Sequence, residues 1–142
     1  MDDPAQLART LLDLAITLAY SDQLPKARQM AEEVLEIHRS RGDRRSTAEA
    51  LHILGGTTQM LGDYKAAQQH DQEGLSIAQS LGAIELQALF TGNLADLAEW
   101  QDDLYSARSY QQAALEILLR LENHYTTLWE LVNCARVEQR LG

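Results

Sequence analysis

One cysteine in 142 residues, Cys134, excludes an internal disulfide and makes a reducing compartment, the cytoplasm, the expected location. Phenylalanine occurs once, proline twice, and aromatics make up 6% of the chain. With almost no runs of Val or Ile, that composition argues against a sheet, and the abundance of Leu and Ala points to an all-α protein. No apolar run approaches the roughly 20 residues that span a bilayer, and Met1-Asp2-Asp3 lacks the positive start of a secretory signal, so no membrane partner is expected.

Positive charge is scarce in the middle of the chain. Between residues 46 and 103 Lys65 stands alone against Glu49, Asp63, Asp71, Glu73, Glu85, Asp96, Glu99, Asp102 and Asp103, within a total net charge of −9. A field of that sign repels phosphate backbones, which argues against direct nucleic-acid binding, and favours basic partners.

Catalytic and metal-binding patterns are missing too. His38, His52, His70 and His124 fall in different elements without an HExxH pattern or cysteine partners, so neither a metal nor a cofactor is expected. Gly55-Gly56-Thr57-Thr58 lacks the spacing of a phosphate loop and sits inside a helical pattern. Asp102-Asp103 is better explained as helix-start capping than as an acid–base pair. Nothing marks a nucleophile on a strained turn, and no catalytic residue is assigned: the chain does not read as an enzyme.

What is present is a repeat. A slide of 40 residues brings Asp22, Gly62 and Asp102 into register, followed by Leu24, Tyr64 and Leu104 and by Ala27, Ala67 and Ala107, with no gap. The same slide aligns Leu14, Leu54, Leu94 and Cys134, then Ala15, Gly55, Ala95 and Ala135. Such a period marks a stack of helical hairpins. The spacing predicts repeats over about 3–42, 43–82 and 83–122 and a half repeat over 123–142, in a single domain.

Seven helices follow. Asp3 caps the first, with Pro4 at its first position, and Leu7, Leu11, Leu14, Ala15 and Leu18 form its apolar stripe; Ser21-Asp22-Gln23 makes the turn. The second starts at about Leu24 and ends in Arg39-Ser40-Arg41-Gly42, with cations at the negative end of the helix dipole. The others are expected at about Ser46–Leu61, Tyr64–Leu81, Ile84–Trp100, Leu104–Leu121 and Tyr125–Leu141. In the seventh, Leu131, Cys134 and Ala135 occupy the core slots, and Cys134 is read as a small buried apolar group. Trp100 is read as packing between repeats. A first helix without its hairpin partner suggests a piece of a longer array, or a partner helix supplied by a second copy in a homodimer.

Small residues recur where two helices must cross closely. Leu54-Gly55, Gly62-Asp63-Tyr64, Ala67 and Gly74-Leu75 resemble the motif of the tetratricopeptide repeat, without insertion. The 40-residue period, longer than the usual repeat of about 34, resembles arrays in bacterial signalling ATPases and MalT-like transcriptional regulators. Two features depart from the family pattern: Ala31, Asp71 and Gln111 replace the aromatic in the second helix, and the terminating proline is absent.

The resemblance implies a right-handed superhelix whose concave face, built from the first helix of each repeat, holds a peptide or helix of a partner protein. Carried over by position, that groove contains Leu12, Ile16, Glu49, His52, Gln59, Leu89, Asn93, Asp96, Glu99, Trp129 and Arg136, with Gly56 and Gly92 also facing it. Lysine and asparagine, which grip a C-terminal carboxylate in chaperone-binding relatives, are replaced by Leu12, Ile16 and Ile53, so that clamp is rejected. The expected ligand is a basic, amphipathic segment. The alternatives are a structural spacer or oligomerisation element, and a sensor of a peptide or small molecule.

Overall fold

In the computed structural model, residues 4–21, 23–121 and 124–142 are described, those at 4, 5, 7, 8 and 124–129 without their side chains. The expected cap Asp3, the turn residue Asp22 and the side chains of Leu7, His124 and Trp129 thus lie outside the described residues. All the described secondary structure is helical: α1 (Pro4–Tyr20), α2 (Leu24–Ser40), α3 (Arg44–Met60), α4 (Tyr64–Leu81), α5 (Ile84–Trp100), α6 (Leu104–Arg120) and α7 (His124–Leu141).

The hairpin turns have a common construction. After α3, the Gly62 N–H donates to Gln59 and the Asp63 N–H to Thr58, at 2.9 and 3.1 Å. This crossed pair satisfies the orphan carbonyls at a helix C-terminus and requires a left-handed residue between them. Gly42, Gly62 and Gly82 supply it, with φ of 68°, 82° and 63°. Between α5 and α6 the residue is Asp102, with φ 61°. The next residue then caps the following helix: Asp43, Asp63 and Asp103 accept from the backbone N–H of Ser46, Ala66 and Ser106 at 3.1 to 3.2 Å. Ending one helix and starting the next within three residues forces the chain straight back on itself. The Asp43 cap also explains why α3 starts at Arg44 rather than Ser46.

Two compact units divide the chain at Ile77, Met1–Ile77 and Ala78–Gly142. In the first, α1 packs on α2 and both touch α3. Its core is Ala15, Ala27, Ala31, Val34, Ala48, Leu51, Leu54 and Ala67, each no more than 1% exposed. Gly55 lies so close to Asp71 that a Cβ there would stand 2.5 Å from Oδ1, which is why this crossing tolerates no side chain. Thr57 and Thr58 are buried, and their hydroxyls donate to the carbonyls of Ile53 and Leu54 one turn back, as expected for a helix interior and not for a phosphate loop.

In the second unit α6 packs between α5 and α7. Phe90, Leu94, Ala95, Leu97, Ala107, Ala114 and Val137 are each no more than 2% exposed. Full burial of Phe90 alone stabilises the unit by about 3 kcal/mol. Ala98, Ala107 and Val137 join the three helices, flanked by Leu104, Tyr110 and Leu141. The three residues replacing the family aromatic, Ala31, Asp71 and Gln111, are all buried.

Four expectations about packing are corrected. Leu131 is 46% exposed, Ala135 is exposed and Cys134 half-buried, because the flank that Leu54 and Leu94 turn toward a hairpin partner faces no described helix in α7; Val137, Asn133 and Glu130 are the buried residues instead. Burial and the charges of Glu130 and Glu138 push the Cys134 thiol up, away from a reactive thiolate. Trp100 is 64% exposed, since the last residue of α5 points out at the turn. Leu14 is 42% exposed, on a helix that among the described residues packs on α2 and touches α3.

Candidate functional site

The acidic middle of the sequence is largely neutralised by arginines from outside it. Arg39 on α2 meets Glu73 on α4 at 2.6 Å, Arg28 approaches Asp63 at 3.9 Å, and Arg45 pairs with Glu49 at 3.4 Å. In the second unit Arg136 forks onto Glu99 at 2.9 and 2.8 Å, while Arg140 reaches both Glu99 at 3.2 Å and Asp102 at 2.6 Å. Those bonds hold the Glu99 carboxyl below its ordinary range and the Arg136 guanidinium above its own. Glu99 and Arg136, expected to meet a ligand as separate charges, therefore meet each other.

Three further acidic side chains line a concavity of about 420 Å³ in the second unit, between α5, the end of α6 and α7. Glu85, Asp96 and Glu130 line it together with the amides Asn93 and Asn133; Leu89, Leu118 and Leu121 form its apolar wall. Of the residues picked from sequence, Leu89, Asn93 and Asp96 meet here, with Gly92 beside them. A Cβ on Gly92 or on Gly56 would touch nothing within 4 Å, so neither glycine is required by close helix packing.

Glu130 escaped the sequence reading. It is 7% exposed, and desolvation followed by the charge of Asp96 pushes its carboxyl up, opposed by a hydrogen bond from Asn133 and by the charge of Arg136. Asp96 is also pushed up, first by desolvation and then by Glu99, with Arg136 opposing. Among the described residues neither carboxylate is in an ion pair. A signal was available, since the 40-residue slide places Glu130 on Phe90 and puts an acid in a core slot.

In the first unit, Leu12 and Ile16 on α1 and Glu49, His52 and Gln59 on α3 are all half-buried. Desolvation lowers the His52 imidazole pKa, favouring the neutral ring. A shallower hollow of this unit lies elsewhere, lined by Leu11, Ile37, Gln29, Glu32, Glu33 and Glu36. Trp129 lies outside the described side chains. Among the described residues no group of three or more His, Cys, Asp or Glu is arranged to hold a metal ion, and no helix is long and apolar enough to cross a membrane.

Three comparisons bear on these features. No curated protein matches the chain. Among solved structures, the apo form of RapI superposes with a TM-score of 0.90 at 18% identity, over 99% of this chain and 39% of that one. Aspartyl phosphate phosphatase F from Bacillus subtilis gives 0.94 at 15% identity, over 100% of this chain and 37% of that one. BtubC from P. vanneervenii gives 0.88 at 21%, over 98% and 58%. The chain thus spans about two-fifths to three-fifths of these proteins' lengths, and at such identities the likeness shows the fold, an all-α stack of helical hairpins. The family model for the tetratricopeptide repeat matches residues 6–80, more than half of the sequence, and the chain belongs to the tetratricopeptide repeat family.

Proposed function

We propose that this chain is a protein-interaction module of a signalling or regulatory protein, and that its second unit takes a basic, amphipathic segment of a partner against the α5–α7 concavity. The observation that carries this reading is a pair of carboxylates, Asp96 and Glu130, that are in no ion pair among the described residues and line an open hollow with one apolar wall. Glu130 is buried while Asp96 beside it is exposed; holding two like charges close together costs stability, and an arriving cation offsets that cost. Leu12, Ile16, Glu49, His52 and Gln59 are proposed as the first unit's own contribution to partner contact. The apolar wall suits the non-polar face of a helix or alternating peptide, and the carboxylates suit its basic residues.

Selection from a random peptide display library tests this. Enriched peptides are expected to combine Lys or Arg with spaced apolar residues, and Asp96→Lys is expected to abolish their binding while helix content by circular dichroism stays the same. Enrichment without a basic preference, or binding that survives Asp96→Lys, overturns the groove assignment.

A second reading, self-association through α7, rests on the exposure of Leu131 at 46% and Val132 at 60%. Light scattering over a range of concentrations separates the two: a mass fixed at that of one chain removes the second reading.

A further inference from the structure

The hollow of the second unit is too specific in its chemistry to serve only as a generally acidic surface. Glu130 is more than nine-tenths buried, yet it lines the open space and is in no ion pair among the described residues. Its neighbour Glu99 is already committed to two arginines, so the charge facing the hollow belongs to Asp96, Glu130 and the more peripheral Glu85. The opposite wall is aliphatic, from Leu89, Leu118 and Leu121. A methylene stem along leucines with a charged head between carboxylates and amides is the way lysine and arginine are buried in proteins.

Gly92 is the second, independent sign. A glycine in the interior of α5 weakens the helix relative to alanine, and here no neighbouring atom demands it. Its missing side chain keeps the wall of the hollow open. The volume, about 420 Å³, falls within the range of small-ligand sites and exceeds one side chain, leaving room for its hydration.

We infer that the concavity is a pocket for one cationic side chain of the bound segment, arginine or lysine, with its stem against Leu89, Leu118 and Leu121 and its head between Asp96 and Glu130. This rests on the interaction reading above and sharpens it from a charged face to a single-residue socket.

The test uses the whole chain, labelled for NMR, titrated with the N-acetyl methylamides of arginine and lysine, and with those of citrulline and norleucine as neutral counterparts. Saturable shifts are expected at Gly92, Asn93, Glu130 and Asn133 with a cationic probe, and none with its neutral counterpart. Glu130→Gln should weaken the cationic probe about tenfold, on the scale of one lost charge contact. Gly92→Ala should weaken it while leaving the protein more stable, which separates loss of the pocket from loss of the fold. Equal shifts from citrulline and arginine, or a cation affinity untouched by both substitutions, overturn the pocket. Library peptides that bind the α5–α7 face but tolerate citrulline or norleucine for their basic residues also overturn it, while leaving the interaction reading intact. Cationic probes that saturate the pocket when no peptide binds support the pocket and refute that reading.

Discussion

Two adjacent glycines in α3 should respond differently to the same substitution. Replacing a helix-interior glycine by alanine stabilises a helix by about 1 kcal/mol through the lower entropy of the unfolded chain. At Gly56 nothing stands within 4 Å of the new methyl, so that gain should appear whole. At Gly55 the methyl would sit 2.5 Å from Asp71 Oδ1, 3.1 Å from Cγ and 3.3 Å from Oδ2. Asp71 is 0% exposed, so its short side chain has no solvent to swing into. Overpacking of this kind costs about 1–3 kcal/mol, enough to cancel the propensity gain and leave Gly55→Ala anywhere from neutral to destabilising by about 2 kcal/mol. Urea unfolding followed by far-UV circular dichroism measures both variants. The double substitution Gly55→Ala with Asp71→Ala recreates the pair Ala15 and Ala31 found in the first repeat. In the Asp71→Ala background, Gly55→Ala should revert to stabilising, giving a coupling of about 1–3 kcal/mol. If Gly55→Ala alone stabilises as much as Gly56→Ala, Asp71 moves freely and the close crossing does not constrain this position.

Three further outcomes follow from the geometry. Ala67→Glu forces a charge into a site with 0% exposure and should cost several kcal/mol, whereas Gln69→Glu on the exposed face of the same helix should be nearly silent in the same unfolding assay. Asp102→Gly relieves a left-handed non-glycine residue, worth about 1 kcal/mol, and loses an exposed ion pair to Arg140 worth less; the unfolding midpoint should rise slightly, and a fall would mean that the ion pair dominates. Because Asp96 and Glu130 have raised carboxyl pKa values, the stability tied to their protonated forms is fully present below the ordinary carboxylate range and is lost as pH rises through the raised values; Glu99 acts oppositely, losing its contribution as pH falls through its depressed value. Glu130→Gln should therefore flatten the loss of stability between mildly acid and neutral pH, and identical pH profiles for variant and parent would refute the assignment.

The turns were legible because their chemistry is local. A left-handed position followed by a cap leaves its mark within two residues, so Gly62-Asp63 and Gly82 could be read directly, and even Asp102-Asp103 was recognisable once the period was known. Charge pairing was not legible in that way. Arg136 and Arg140 stand 37 and 38 residues beyond Glu99 and Asp102, a separation that means contact only after α7 has been set beside α5. Read along the chain, residues 46–103 are an acidic block; in the fold most of their partners come from before or after it. The block was therefore a poor guide to where free charge remains. The better guide was an inconsistency in the repeat itself: a period that places Phe90 in the core should place an apolar residue at 130, and the chain has glutamate there. In a stacked repeat, a polar residue in a core register carries more information than a run of charge on the surface, because the fold bears a desolvation cost for the first and almost none for the second. Among the residues that this criterion selects are Asp71, Gln111 and Glu130. Gly55 gives Asp71 a structural context in the α3–α4 crossing, and Gln111 is 1% exposed. Glu130 alone of the three lines an open hollow, which is why the functional argument converges on it.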